Sequence, residues 1–279
     1  MSPVREASLT AVREIRRNLG STKGIAMFVL FLLGGLVVSL AQILLLRLAS
    51  ADGSQEIPEQ ALFEVVLLKT GSYDAATAKY LSACPWQIFS LFKGTLRFVP
   101  LLILIVSFDQ IAGEIQHRGI RYVVGRSRRE SFVAGKALGV WAVISTAVFV
   151  LHLVVWVVML VKGAGSPAAI FAWGPRLWFF SSMAAAAWVG LITLVSSLFR
   201  TPMVALLVGV VVSFVLWLTN TLLELFPSTK AATWAFPFRY EELLLSYQPH
   251  QVLGGVAASI GWGALMVLVA TLIMKRRDV

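Results

Sequence analysis

Few side chains in this sequence have types and spacings that could do chemistry. It holds three histidines, His117, His152 and His250, and a single cysteine, Cys84. One thiol excludes an intrachain disulfide and cannot by itself build a zinc site. Neither an H-E-x-x-H metal motif nor a G-x-S-x-G nucleophile elbow occurs, so metal-assisted hydrolysis and acyl transfer have no local signature. A phosphate-cradling G-x-x-x-x-G-K-[ST] loop is also missing: Gly135-Lys136 is followed by Ala137, and Glu130 stands where the first glycine belongs. No catalytic, metal-binding or cofactor-binding residue is therefore assigned. Titratable groups concentrate instead in one run, Phe108 to Leu138, FDQIAGEIQHRGIRYVVGRSRRESFVAGKAL. Such a run can grip a partner protein; a solvated basic loop that sets membrane orientation is the plainer alternative, and composition leaves both open.

The elements that must position this run are apolar helices. Of 279 residues 58% are apolar and 14% charged, and the mean hydropathy is +0.82, whereas a soluble domain is about 25% charged. Six segments are long enough to cross about 30 Å of hydrocarbon: Ile25 to Leu46, Leu96 to Ile115, Ala134 to Val161, Trp178 to Leu198, Pro202 to Leu222 and Val252 to Met274. Pro100 interrupts the second, which should leave the lipid before Asp109 and Glu114. An even number puts both termini on one side. Most Lys and Arg fall there, so the termini and the loop between the second and third spans are predicted cytoplasmic, in a cell (inner) membrane. The net charge of +10 then reads as orientation and contact with anionic lipid, and nucleic acid is not a predicted partner. Ala49-Ser50-Ala51 mimics a cleavage site, but the apolar run before it is too long for a signal peptide. Trp86, Trp173, Trp178 and Trp234 fall at the outer ends of spans, where indoles anchor at headgroups.

Before the first span, Val4, Ala11, Val12, Ile15 and Leu19 recur at helical spacing, with Arg5, Glu6, Arg13, Glu14, Arg16 and Arg17 on the other face. This pattern predicts an amphipathic interfacial helix over residues 1–20, capped by Ser2, started by Pro3 and ended by Gly20. Ser127 and Glu130 form a capping box. A third helix starting there extends about 20 Å beyond the hydrocarbon into the cytoplasm. Gly119 to Gly125, with Ile120, Tyr122, Val123 and Val124 beside Arg118 and Arg121, suits a short helix seated in a cleft of another protein. The stripes Gly255, Ser259, Gly263 and Gly209, Ser213 allow close approach of backbones, within the subunit or across a dimer seam. His152, deep in the third span, reads best as neutral and bonded to a neighbouring backbone. Glu224, Glu241 and Glu242 read as solvated charges, and Leu62, Val65, Val66 and Leu68 as part of a helical cap.

These residues resemble the permeases of the ABC type-2 transporter family (type V exporter architecture). There the second span ends in an acidic Gly-Glu pair, a turn follows, and a Ser-Arg step precedes Gly-Lys at the start of the third. The matching positions are Gly113-Glu114, Gly119, Ser127-Arg128 and Gly135-Lys136; Gly125-Arg126 stands where the family often has a proline before Ser-Arg. The resemblance implies an all-α integral membrane fold of six transmembrane helices preceded by the interfacial helix. Residues 21–279 would form the transmembrane domain, with an outer loop at 47–93, a coupling loop at 109–135 and an outer re-entrant segment at 223–251 carrying Pro227, Pro237 and Pro249. It further implies an exporter subunit that is not itself an enzyme. Its partners would be a separate cytoplasmic ABC ATPase holding ATP and Mg, a second permease copy in a homo- or heterodimer, and membrane lipid. Glu114, Arg118, Gly119, Arg121, Arg126 and Arg128 would meet the ATPase, with Arg13, Arg16 and Arg17 on the interfacial helix. A secondary transporter driven by an ion gradient and, more remotely, an intramembrane enzyme are the alternatives.

Overall fold

Apolar runs of this length become helices because, without water, each backbone N–H and C=O must be satisfied inside its own segment. The computed structural model describes residues 2–51, 59–69, 73–117, 127–226 and 228–277, and among these it contains helices and no strand. In chain order they are α1 (Pro3–Leu19), α2 (Thr22–Ala51), α3 (Glu59–Lys69), α4 (Ala75–Leu81), α5 (Trp86–Ser107), α6 (Ala112–Gln116), α7 (Arg129–Lys162), α8 (Pro167–Leu198) and α9 (Pro202–Leu225). Two 3-10 turns follow, Lys230–Ala235 and Pro237–Arg239, then α10 (Tyr240–Leu244) and α11 (Pro249–Arg276). Five helical stretches are long and apolar enough to cross a membrane; α1 with Gly24–Val37 of α2, bent by 67°, passes the same test together, which brings the number to six. The chain is an all-α, multi-pass membrane protein.

α8 is the central helix and α9 the most peripheral. One apolar cluster joins Val99, Ile103 and Leu104 of α5 to Val140, Ile144 and Val148 of α7 and Trp188 and Ile192 of α8. A second, nearer the α3 and α4 end, gathers Phe63, Leu81, Phe92, Trp156 and Leu177. Backbones meet where side chains vanish. A Cβ on Gly190 of α8 would lie 2.3 Å from the Gly263 carbonyl oxygen of α11, and one on Gly263 would lie 2.4 Å from that of Ala186. A Cβ on Gly209 would sit 2.3 Å from Leu104 Cδ1. The small-residue stripes thus serve packing inside the chain.

Several sequence expectations are corrected. The second span starts at Trp86 rather than Leu96, because polar groups in the added turns find partners that hydropathy cannot see. Lys93 pairs with Glu241 and donates to the Tyr73 hydroxyl at 3.2 Å, and burial raises the Tyr73 phenol above its ordinary range. Glu241 is accordingly not a free, solvated charge, and Glu242 pairs with Arg239; Glu224 stays exposed, as expected, and accepts from Asn220 Nδ2 at 2.8 Å. The fourth span begins at Pro167, capped by Ser166, so Trp178 lies well inside α8 with its indole donating to the Ser145 carbonyl at 3.1 Å. α7 starts one residue later than the Ser127–Glu130 capping box implies: Arg128 is its N-cap, and Glu130 pairs with Lys275. α3 turns Phe63 and Leu67 inward and leaves Val65, Val66 and Leu68 exposed.

Other readings agree with the structure. α7 is 34 residues long, about 51 Å at 1.5 Å per residue, and α5 ends at Ser107, before Asp109. His152 is fully buried, its Nδ1 2.9 Å from the Val148 carbonyl oxygen.

Gly263→Val forces the α8 and α11 backbones apart and should cost about 1–3 kcal/mol or more, as overpacking does. Gly261, whose Cβ would meet nothing within 4 Å, is the control. Thermal unfolding in detergent should show a clear loss for the first substitution and little change for the second.

Candidate functional site

The charged run enters the fold at the end of α5. The helix is interrupted over residues 108–111, and a hydroxyl on α8 holds the interruption. Ser196 Oγ accepts from the backbone N–H groups of Ile111 and Ala112, both at 3.1 Å, and donates to the Phe108 carbonyl at 2.9 Å. Gln110 Nε2 donates to Thr193 Oγ1 at 2.8 Å. Buried backbone that leaves a helix must be satisfied this way inside a membrane bundle. The clamp fixes where α6 starts and so where Glu114 points.

α1 reaches the same place from the other side. Ser2 caps it, Pro3 opens it, and Gly20 closes it. After that turn a Cβ on Gly24 would fall 1.7 Å from the Asn18 carbonyl oxygen, so only glycine allows α2 to leave at this angle. The face that α1 buries is mostly small and polar, with Ile15 partly buried against the core beside it. Val4, Val12 and Leu19 are exposed, whereas Glu14 and Asn18 are buried. Ala7, Thr10, Ala11 and Glu14 lie along α7, which accepts them through two glycines. A Cβ on Gly135 would meet Thr10 Cβ at 2.5 Å, and one on Gly139 would meet Glu14 Cβ at 2.6 Å. The ends are pinned by Ser131 Oγ donating to the Pro3 carbonyl at 3.0 Å and the Arg128 backbone N–H donating to Glu6 Oε2 at 3.1 Å.

At the junction stands a buried ionic node. Lys136 Nζ, on an α7 residue only 4% exposed, donates to Glu14 Oε2 at 2.7 Å and to Glu114 Oε1 at 3.0 Å. Glu14, 2% exposed, also pairs with Arg17 and accepts from Asn18 Nδ2 at 3.2 Å. Arg17 Nη1 reaches Glu114 Oε1 at 3.4 Å. Two carboxylates thus meet one ammonium and one guanidinium. The outer side of Glu114 opens on a cleft of about 380 Å³ lined by Arg17, Phe108, Asp109, Gly113, His117 and Pro202. Beside the node, Arg129 Nη1 donates to the carbonyls of Met274, Lys275 and Arg277 at 2.7, 3.0 and 2.9 Å, satisfying the end of α11.

Of the residues proposed from sequence, the fold brings Glu114 and Arg17 into this node. Arg13 and Arg16 stay exposed, and the exposed Arg128 is tied by its backbone. Arg118, Gly119, Arg121 and Arg126 lie outside the described residues. Glu14, Asn18 and Lys136 were missed as site residues. The signal for them was the pairing of a small and polar stripe on α1 with the Gly-x-x-x-Gly spacing of residues 135–139, which marks close helix approach. The arrangement contains no nucleophile with its base. Its chemistry is ion pairing, by which the N-terminal helix, the end of one span and the start of the next hold together.

A sequence model of the family described as ABC-2 family transporter protein matches residues 10–274. No curated protein matches the chain.

Lys136→Met leaves Glu14 buried without its ammonium and should destabilise by about 3–5 kcal/mol. Adding Glu14→Gln to that variant should recover part of the loss, because the stranded charge is then gone. A double-mutant cycle on thermal unfolding in detergent reads the coupling; additive losses would mean that the pair contributes nothing.

Proposed function

The chain belongs to the ABC-2 family of transporter proteins, and on that premise we propose that this membrane permease couples export to ATP hydrolysed by a separate cytoplasmic ATPase. ATP and Mg would bind to that partner. The observation that carries the reading is the node of Glu14, Lys136 and Glu114, which joins α1, the end of the second span and the start of α7 at the basic end of the bundle. A push on any one of these elements must move the others or break a buried ion pair, which costs several kcal/mol. The run 109–135 is the coupling loop in this reading, with Arg118, Gly119, Arg121, Arg126 and Arg128 offered to the ATPase. Glu114 passes the force inward through Lys136.

The same reading places the basic end and both termini in the cytoplasm, in a cell (inner) membrane. The excess of Lys and Arg at that end supports it. It lays α1 in the interface: Val4, Val12 and Leu19 toward lipid, Arg13 and Arg16 toward water and anionic headgroups, and the Glu14 face on α7. A second permease copy, identical or related, completes the transporter. α9 supports this, because its apolar surface is mostly left uncovered within one chain.

Affinity purification of the full chain from its native membranes should recover an ATP-hydrolysing complex. Reversing charge in Arg121→Glu with Arg128→Glu should abolish association and hydrolysis while the chain still inserts in the membrane. Retained coupling in that double variant would overturn the assignment of these residues. Transport by the chain alone, driven by an ion gradient in ATP-free proteoliposomes, would overturn the ATP-driven reading itself.

A further inference from the structure

The early start of α5 moves one charge to an unusual depth. Arg97 is 11 residues past Trp86, about 16 Å along the helix, and Ser107 ends α5 a further 10 residues on. The neighbouring helix gives the same depth. Pro85 packs on Gly165, just past the end of α7, where a Cβ would lie 3.8 Å from the Pro85 ring. Gly94 and Phe98, which bracket Arg97, share a groove wall with Leu151, 11 residues short of Lys162. Arg97 therefore sits near the middle of the apolar layer. It is exposed on the chain's surface and has no hydrogen bond or ion pair among the described residues. Lys93, one turn away, is already engaged by Glu241 and Tyr73.

A guanidinium does not lose its proton. Unpaired charge at this depth faces a polar pathway rather than lipid tails, because hydrocarbon makes it costly. A second observation lies on α9. That helix runs antiparallel to α5 and touches it where Leu104 meets Gly209. Counting back from this contact puts Arg97 level with the stretch between Ser213 and Asn220. Both residues carry a buried side-chain oxygen with no hydrogen-bond partner among the described residues, Ser213 Oγ and Asn220 Oδ1. Arg97 and these two oxygens therefore share a level of α5 and α9; Asn220 Oδ1, which only accepts, can steady a guanidinium there but not an anion. Around α5 from Arg97, past Gly94 and Phe98, lies a groove of about 270 Å³ between α2, α5 and α7, walled by Leu30, Phe31, Gly94, Phe98 and Leu151 among others and almost wholly apolar.

We infer that Arg97 is a binding residue on the transport pathway for the anionic group of an amphiphilic substrate, a carboxylate or phosphate whose apolar part enters the adjoining groove. The inference rests on the transporter reading and adds a substrate class to it. The guanidinium supplies the missing counter-charge through paired N–H donors. Phe98 and Leu101, 64% and 50% exposed, offer apolar contact on either side.

The test uses the full chain in nanodiscs of phosphatidylcholine alone, with two probes of equal apolar size, pyrenebutyrate and the neutral pyrenebutanol. The carboxylate should bind about tenfold tighter or better, as a charge-assisted hydrogen bond predicts. Arg97→Gln should erase that preference and Arg97→Lys retain part of it. In a Cys84→Ala chain, Arg97→Cys should react with a charged, membrane-impermeant thiosulfonate, and pyrenebutyrate should slow the reaction. Equal affinity for the two probes, an unchanged preference in Arg97→Gln, or an unreactive Cys at 97 would overturn the inference; the last would assign the side chain to lipid phosphate instead. ATP hydrolysis by the unmutated complex is read separately. If it persists while these outcomes fail, only the substrate site is wrong, whereas its absence removes the transporter reading.

Discussion

A charge can be kept away from water only if its partner is kept there too, and the basic end of this protein is organised around that constraint. Removing a carboxylate or an ammonium from water costs several kcal/mol for each, so Glu14 and Lys136 are tolerable in their buried positions only together. Their pairing requires α1 to lie within contact distance of α7, which in turn requires glycine at 135 and 139. It also requires α6 to return Glu114 to Lys136, and α6 is aimed by the Ser196 clamp on the break after α5. The sharp exit of α2 at Gly24 follows from the same placement of α1. One ion pair thereby constrains five elements.

The remaining contacts show how helices associate where lipid removes most of the hydrophobic advantage of contact. Close backbone approach takes its place, at Gly190 with Gly263 and at Gly209 with Leu104. Hydroxyls that would otherwise be stranded in the spans turn back on their own helices. Ser107, Thr193, Ser259 and Thr271 each donate to the carbonyl four residues earlier. The bundle therefore carries polar side chains without exposing them to hydrocarbon. Against that background Arg97 stands out among the described residues, because it is exposed and makes no ion pair or hydrogen bond with any of them.

The two ends of the bundle are tied by different means. At the basic end, the node and the Arg129 clamp on the last turn of α11 connect α1, α6, α7 and α11. At the other, Lys93 with Glu241 and Arg176 with Tyr80 connect α5 to α10 and α8 to α4. Between them Phe238, on the segment returning from α9, packs edge-on against Trp188 with ring centroids 5.0 Å apart, 10 residues from the basic end of α8. The returning segment thus contacts the bundle well below the end from which it enters. Displacement at one end has a continuous packed route through α8 to the other.

The sequence by itself determined that the chain is helical and membrane-spanning, that an amphipathic helix precedes the spans, that α7 outruns the hydrocarbon, and that charge gathers between α5 and α7. These properties are local: hydropathy and helical spacing are written in consecutive residues, and a span needs no distant partner to exist. Helix ends were less legible. The first turns of α5 contain Lys93 and Arg97, which hydropathy counts against a span, and Lys93 is made acceptable by Glu241, 148 residues away. The role of Glu130 was hidden for the same reason, since it pairs with Lys275 of α11. Only the tertiary structure decided that the buried face of α1 is small and polar, with Ile15 partly buried beside it, that Glu14 and Lys136 form a pair 122 residues apart, and that Arg97 of α5 is exposed with no ion pair among the described residues. Burial and ion pairing depend on which elements meet, and that depends on the whole chain packing at once.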